Sequence, residues 1–288
     1  MTLIDTAVFP VGGLGTRILP ATKAFPKEML PVVDRPLIQY AVEEAKQAGI
    51  KRFIFITAHG KKALEDHFDR SEALESRLKF LQKDKELKLI LDSSLRPGEA
   101  IFVRQQQPLG LGHAVWCARQ WVGNKPFAVI LPDDLILGKP CLKEMIDHYR
   151  TGNMVGVMDI EPQDSKKYGI LDVLEDDGRQ VVAKGVVEKP SPEKAPSTVA
   201  VVGRYIIDPF VFELLKTHTV GTGGEIQLTD ALSAMIKVYG LTGFRFSGKR
   251  FDCGDKKGWL EANIACACEN ELLKDAMQEI LARYLKKE

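Results

Sequence analysis

The sequence predicts an α/β fold: a mixed, mainly parallel sheet covered by helices, with antiparallel strands inserted in its second half. Apolar runs at 7–9, 53–56, 101–103 and 128–131 alternate with helix-like segments through the first 150 residues. Continuous apolar runs between helices are the pattern of strands buried on both faces. After about residue 150, strand candidates follow one another closely, at 155–158, 169–174, 181–187 and 199–207. Finally, 288 residues with 45% hydrophobic content suffice for a full core.

The elements follow in chain order. The run at 7–9 empties into a loop holding Gly12, Gly13 and Gly15, and Pro20, Pro26 and Pro31 then block any long helix. Pro36 is expected at the first position of a helix with Leu37, Ile38, Ala41, Val42, Ala45 and Ala48 on its apolar face, stopped by Gly49. Residues 61–85 are charged and helix-prone, and 111–121 reads as a further helix. The strand at 128–131 ends at Pro132-Asp133-Asp134, where Asp134 reads as a loop residue pointing away from its neighbour. Residues 190–196, rich in proline, read as an exposed loop. Helices return at 209–216 and 228–239, and a helical tail starts near 259. With no internal repeat and no low-complexity linker, the expected organisation is a single unit over 1–288. It comprises a first half of about 1–150, a second of about 151–258 shaped for a second substrate, and a tail of about 259–288.

Composition excludes several classes. Lys plus Arg number 40 against 39 Asp plus Glu, so there is no electrostatic case for a nucleic-acid or membrane partner. No apolar run approaches the roughly 18 residues of a membrane span. The start Met1-Thr2-Leu3-Ile4-Asp5 lacks the regions of an export signal, so a soluble, cytoplasmic protein is expected. The five cysteines are scattered, and Cys266-Ala267-Cys268 lacks the spacing of a zinc or redox motif, so reduced, mostly buried thiols are expected.

The glycine loop is the most informative segment. Glycines let backbone N–H groups approach a phosphate closely. Arg17 adds a planar fork of donors for phosphate oxygens, and Lys27 a mobile point charge. Neither common phosphate loop fits: Ile18 stands where a dinucleotide-binding fingerprint needs its third glycine, and no Lys-Ser or Lys-Thr follows as in a P-loop. The pattern points to a nucleoside triphosphate gripped at the end of a strand. Asp133, at the carboxyl end of an apolar strand, faces a crevice where a carboxylate can hold Mg²⁺ against phosphate oxygens. Gln105, Gln106 and Gln107 follow another strand, and an amide side chain can both donate and accept. His113 opens a helix that packs through Val115 and Trp116, which favours a structural or capping role.

Gly12-Gly13-Leu14-Gly15-Thr16-Arg17 with Pro26-Lys27-Glu28-Met29-Leu30-Pro31 resembles the signature of the sugar-nucleotide pyrophosphorylases, and the run at 21–31 resembles the bacterial UTP–glucose-1-phosphate uridylyltransferase branch. The family more usually has Ala where this chain has Gly12, a mild departure expected to loosen the loop slightly. The resemblance, spanning about 7–259, implies a Rossmann-like fold of the nucleotide-diphospho-sugar transferase type. It makes the first half nucleotide-binding and the antiparallel insertion sugar-binding. The implied reaction joins UTP and glucose 1-phosphate into UDP-glucose and pyrophosphate. Its nucleophile, a phosphate with a second pKa near 6, is already largely anionic, so the chemistry needs cations and alignment rather than a side-chain nucleophile.

On this resemblance Arg17, Lys27 and Lys189 are catalytic; Gly12, Gly13, Gly15, Thr16, Gln105 and Gly110 bind the nucleotide; and Gly169, Glu188 and Glu225 bind the sugar. Asp133 and Asp252 are the implied Mg²⁺ ligands, Asp252 lying between the apolar residues Phe244 and Phe246 and a following helix. Glu188 and Lys189, in the Glu-Lys-Pro that ends a strand, are expected to diverge toward the two parts of a bipolar ligand. Relatives that use dTTP share the glycine loop and the Glu-Lys-Pro, so a glucose-1-phosphate thymidylyltransferase stays open as an alternative, as does a catalytically silent sugar-nucleotide-binding paralogue. Family members are usually dimers or tetramers, which sets the expectation of a homo-oligomer.

Overall fold

The computed structural model describes residues 4–285. β1 (Thr6–Pro10) leads through short 3₁₀ turns (Thr16–Ile18, Ala21–Lys23, Lys27–Met29) to β2 (Pro31–Val32), β3 (Arg35–Pro36) and α1 (Leu37–Gln47). β4 (Arg52–Thr57), α2 (Lys62–Phe68), α3 (Glu72–Phe80), α4 (Asp84–Ser93), β5 (Ala100–Arg104), α5 (Leu111–Cys117), α6 (Arg119–Val122) and β6 (Phe127–Ile130) follow. The second half holds β7 (Asp134–Leu137), α7 (Cys141–His148), β8 (Asn153–Asp159), β9 (Gly169–Asp176), β10 (Gln180–Glu188) and β11 (Val199–Ile207). α8 (Val211–Leu215), α9 (Leu228–Tyr239), β12 (Leu241–Arg245), β13 (Lys249–Asp252), α10 (Lys256–Glu269) and α11 (Lys274–Leu285) complete the chain.

Nine strands form one sheet in the order β5-β4-β1-β6-β11-β8-β12-β10-β9. β5, β4, β1 and β6 are parallel, as the strand–helix alternation predicts. β11 runs antiparallel to both β6 and β8, so β8 to β12 extend the same sheet. β1 carries alternate residues to opposite faces. Val8 packs with Ile54, Ile56 and Val129 under α5, α8 and α9, while Ala7 and Phe9 pack with Phe53, Phe55 and Ile130 under α1, α2 and α7. Phe9 and Phe55 stack with ring centroids 5.1 Å apart, and Phe55 stacks on Phe68 at the same distance. Helices on both faces explain why these strands are apolar throughout.

Several boundaries differ from the sequence reading. Pro36 is extended (φ −70°, ψ 150°) and paired with Pro31, so α1 begins one residue later. The segment 61–85 is not one helix: α2 ends at an extended Asp69, and a turn at 81–83 separates α3 from α4. The helix expected over 111–121 divides at Ala118. Asp134, read as a loop residue, is buried at the start of β7. Asp252 does not follow the Phe244 strand directly; it ends β13, which pairs with β7 in a separate ribbon, Asp252 opposite Asp134. That ribbon packs through Leu135 and Phe251 on Leu37, Val32 and Ala262. All five cysteines are free, with Cys141, Cys253 and Cys266 buried.

Candidate active site

The glycine loop is held from beneath. The Lys61 ammonium, nearly buried, donates to Gly13 O at 2.7 Å and to Glu28 Oε2 at 2.7 Å. Gly15 takes φ +67°, and its carbonyl accepts from Thr22 Oγ1 at 2.7 Å. The Lys27 side chain runs under the same loop: a Cβ on Gly13 would lie 3.4 Å from Lys27 Cε, and one on Gly15 3.1 Å from Lys27 Cβ. These contacts use carbonyls and leave the loop's exposed edge at Gly13 and Thr16 toward solvent.

Lys27 ends at Asp133, Nζ to Oδ2 2.6 Å. Burial opposes both charges. Asp133 and Glu28 outweigh it at Lys27, whose ammonium is held above its ordinary value, and Lys27 outweighs it at Asp133, held below the usual carboxylate range. Arg17, Asp133 and Asp252 meet around one glycine. A Cβ on Gly254 would lie 2.8 Å from Arg17 Nη2, 2.9 Å from Asp252 Oδ1 and 3.2 Å from Asp133 Oδ2. The turn is pinned by Cys253 N–H donating to Asp133 O at 2.7 Å and Gly254 N–H to Asp252 Oδ1 at 3.0 Å.

Arg17, Asp133, Asp252, Gly169, Glu188, Lys189 and Glu225 line one cleft of about 860 Å³. Glu188 Oε2 accepts from Thr229 Oγ1 at 2.7 Å. Lys189 sits in the left-handed region (φ +48°), its N–H donating to Tyr168 O at 2.9 Å. Glu188 and Lys189 do not diverge as expected: their side chains pair at 2.9 Å, because the positive φ turns Lys189 back beside its neighbour. Gln105 and Gly110 lie next to this cleft. Gln105, 8% exposed, turns inward, whereas Gln106 and Gln107 are exposed. Gly110 has φ +102°, and a Cβ there would lie 2.7 Å from Glu225 Cβ. Leu109 O accepts from Ile226 N at 2.8 Å and Gly112 N donates to Ile226 O at 2.8 Å, so the segments at 109–112 and 225–226 are stitched together. His113 caps nothing; it is buried inside α5, beside Gln105.

Four positions of the site lie outside the sequence reading. Arg250 donates through Nε to Asp134 Oδ1 at 2.8 Å and through Nη1 to Tyr168 Oη at 2.9 Å, with Nη2 3.4 Å from Asp252 Oδ2. Burial works against its charge, but Asp134 and Asp252 hold the guanidinium well above its ordinary value. Arg204, fully buried, pairs with Glu44 at 2.7 Å and donates to Leu131 O at 3.2 Å and Asp134 O at 2.8 Å, clamping the turn that carries Asp133. A charge amid the apolar run of β11 is the one sign of this in the sequence. Lys61 and Glu28 gave no sign, lying in charged or motif segments.

Asp133 and Asp252 are two carboxylates converging on one point, and no group of three or more candidate metal ligands occurs among the described residues. Such a pair fits Mg²⁺, which keeps waters and takes substrate phosphate oxygens beside one or two carboxylates. No helix among the described residues is long and apolar enough to cross a membrane.

The nucleotidyl transferase family matches residues 7–268 of this chain. A UTP–glucose-1-phosphate uridylyltransferase of Bacillus subtilis (strain 168) is 42% identical, covering 100% of this chain and 99% of that protein. One from Komagataeibacter xylinus is 48% identical over 88% of this chain and 90% of its own length. Among solved structures, a UTP-bound UGPase from Acinetobacter baumannii superposes with a TM-score of 0.89 at 39% identity, over 99% of this chain and 100% of that one.

Proposed function

This chain belongs to the nucleotidyl transferase family, and from that premise we propose that it transfers a uridylyl group from UTP to glucose 1-phosphate. The products are UDP-glucose and pyrophosphate, and the attack is direct and in line. The observation that carries the reading is the meeting of Arg17, Asp133 and Asp252 around Gly254, with Lys27 paired to Asp133. Two polyanions must be brought into contact, and this point gathers two cations and two carboxylates at the carboxyl end of the sheet.

In the mechanism we infer, the loop at Gly12, Gly13, Gly15 and Thr16 receives the triphosphate on its backbone N–H groups, held in shape by Lys61. Arg17 and Lys27 bind the phosphates and stabilise charge developing on the leaving pyrophosphate. Gln105 and Gly110 hold the base. Across the cleft, Gly169, Glu188 and Glu225 hold the sugar, and Lys189 orients the attacking phosphate. Asp133 and Asp252 would hold Mg²⁺, which would supply charge neutralisation of the phosphates. The attacking phosphate is itself a largely anionic nucleophile, which supports a path without a covalent enzyme intermediate.

The same reading treats 1–288 as one unit with nucleotide-binding (about 1–150) and sugar-binding (about 151–258) halves, acting in the cytoplasm. Leu272 and Leu285 on and beside α11 are strongly exposed, which supports association of two or more copies. The test is pyrophosphate release from UTP, glucose 1-phosphate and Mg²⁺ by the purified protein. Release is expected, lost on chelation with EDTA; none from folded protein would overturn the assignment. The same assay with dTTP decides against the thymidylyl alternative if UTP is preferred by more than about tenfold, or 1.4 kcal/mol.

A further inference from the structure

The Gln105 amide is held from its nitrogen side. Nε2 lies 3.2 Å from Gly110 O and 3.0 Å from His113 Nδ1. A peptide carbonyl only accepts, so the group facing Gly110 is the NH₂. Its second hydrogen points to His113 Nδ1, which must then be the unprotonated nitrogen of a neutral ring with its proton on Nε2. The surroundings favour that neutral ring. Burial, then His218 (ring centroids 5.3 Å apart), then Arg119 all lower its proton affinity. The amide oxygen therefore points the other way: a Cβ on Gly12 would lie 3.0 Å from Gln105 Oε1. On the uridylyl reading above, the glycine-loop side of Gln105 thus offers the base an acceptor whose orientation is fixed from behind.

We propose that His113 is a positioning residue that locks the Gln105 amide with its oxygen toward the base and thereby makes the site select uracil over cytosine. This rests on the uridylyl reading above. The pairing edge of uracil carries one donor, N3–H, between two carbonyl oxygens, and a fixed acceptor takes that hydrogen. Cytosine has a lone pair at N3, so a fixed acceptor meets it with no hydrogen between them, while its exocyclic NH₂ lies elsewhere. An amide free to turn over would present NH₂ instead and accommodate cytosine. Discrimination by a fixed polar group is the kind a pocket of the right size alone does not supply.

The test compares kcat and KM for UTP and CTP, each with glucose 1-phosphate, in the wild type, His113→Leu and His113→Gln. Leu removes the acceptor. The Gln carbonyl oxygen can still accept from Gln105. We expect His113→Leu to raise KM for UTP about tenfold and to lower the UTP-to-CTP ratio of kcat/KM by at least about tenfold, with kcat at saturating UTP within about twofold. His113→Gln should restore both. A Leu variant with the wild-type KM and ratio overturns the proposal, as does a Gln variant as impaired as Leu. A second measurement needs no substrate: long-range ¹H–¹⁵N NMR of the histidine-labelled wild type, with the His113 signal identified by its loss in His113→Gln. It should report the Nε2–H tautomer at neutral pH; an Nδ1–H or doubly protonated ring overturns the proposal. Wild-type protein that ignores UTP altogether refutes the uridylyl reading instead, a result distinct from either.

Discussion

Lys27 Nζ lies 2.6 Å from Asp133 Oδ2, joining residues 106 positions apart. One comes from the turn after the glycine loop and the other from the end of β6. On the proposed function, the pair holds a cation and a carboxylate in readiness for triphosphate and metal. Asp133→Asn keeps an oxygen toward Lys27 but loses the charge. Pyrophosphate release should fall by at least about 10²-fold, with the fold retained by circular dichroism. Wild-type turnover in this variant would remove Asp133 from the metal site.

Gly254 gives a sharper geometric test. A Cβ there would press on Arg17, Asp252 and Asp133 at 2.8, 2.9 and 3.2 Å. Gly254→Ala should therefore spread the three charged groups and cost about tenfold or more in kcat, since misplacement by about an ångström has that scale of effect. Steady-state kinetics would show it. Unchanged kcat and KM would mean that the three groups need not converge.

Lys189→Ala should lower turnover by roughly 10²-fold, by the loss of one preorganised donor. Its partner Glu188 remains tied to Thr229, so the sugar side of the cleft should persist. An effect confined to KM for glucose 1-phosphate would instead mean that Lys189 binds ground and transition states alike.

The chain entering β13 is tied to α7 through Glu144, which accepts from Ser247 N–H and Oγ–H, both at 2.8 Å, and from Arg179 at 2.9 Å. Burial pushes this carboxyl up, but the Ser247 donors and then Arg179 outweigh it and hold it below its ordinary value. A depressed folded-state pKa stabilises the fold above the unfolded value of about 4.3, and that contribution is lost as pH falls through the folded value. Glu144→Gln should cost about 1 kcal/mol at pH 7 by urea unfolding, with the gap shrinking at pH 3. A gap of the same size at both pH values would show that the charge contributes nothing.

The parallel strands were legible because both faces are covered, so the runs at 53–56 and 128–131 are apolar at every position. Arg17 and Asp133 stand out in the sequence because glycines and a strand end mark a crevice, whereas Asp134, next to Asp133, reads as a loop residue and is buried at the start of β7. The β7–β13 ribbon was not legible. Its four-residue strands are too short for a pattern, and their pairing depends on contact between residues 134 and 252. The helix end at Asp69 is hidden because charged residues on either side suit a helix equally well, and the division at Ala118 because alanine and its neighbours carry no helix-breaking residue. Buried charges were hidden for a related reason. Arg204 finds Glu44 across 160 positions, and Lys61 finds Glu28 across 33, so no neighbour in sequence names the partner, although the apolar run around Arg204 marks it as unusual. Glu188 and Lys189 misled because alternation was assumed along an extended chain, while Lys189 leaves that conformation at φ +48°.

The most direct test of the account is the stereochemical course at the α-phosphorus. UTP carrying sulfur on that phosphorus in one configuration, turned over with glucose 1-phosphate, should give a UDP-glucose analogue of inverted configuration, as a single in-line displacement requires. Retention would reveal two displacements and a uridylylated enzyme, and would contradict the account.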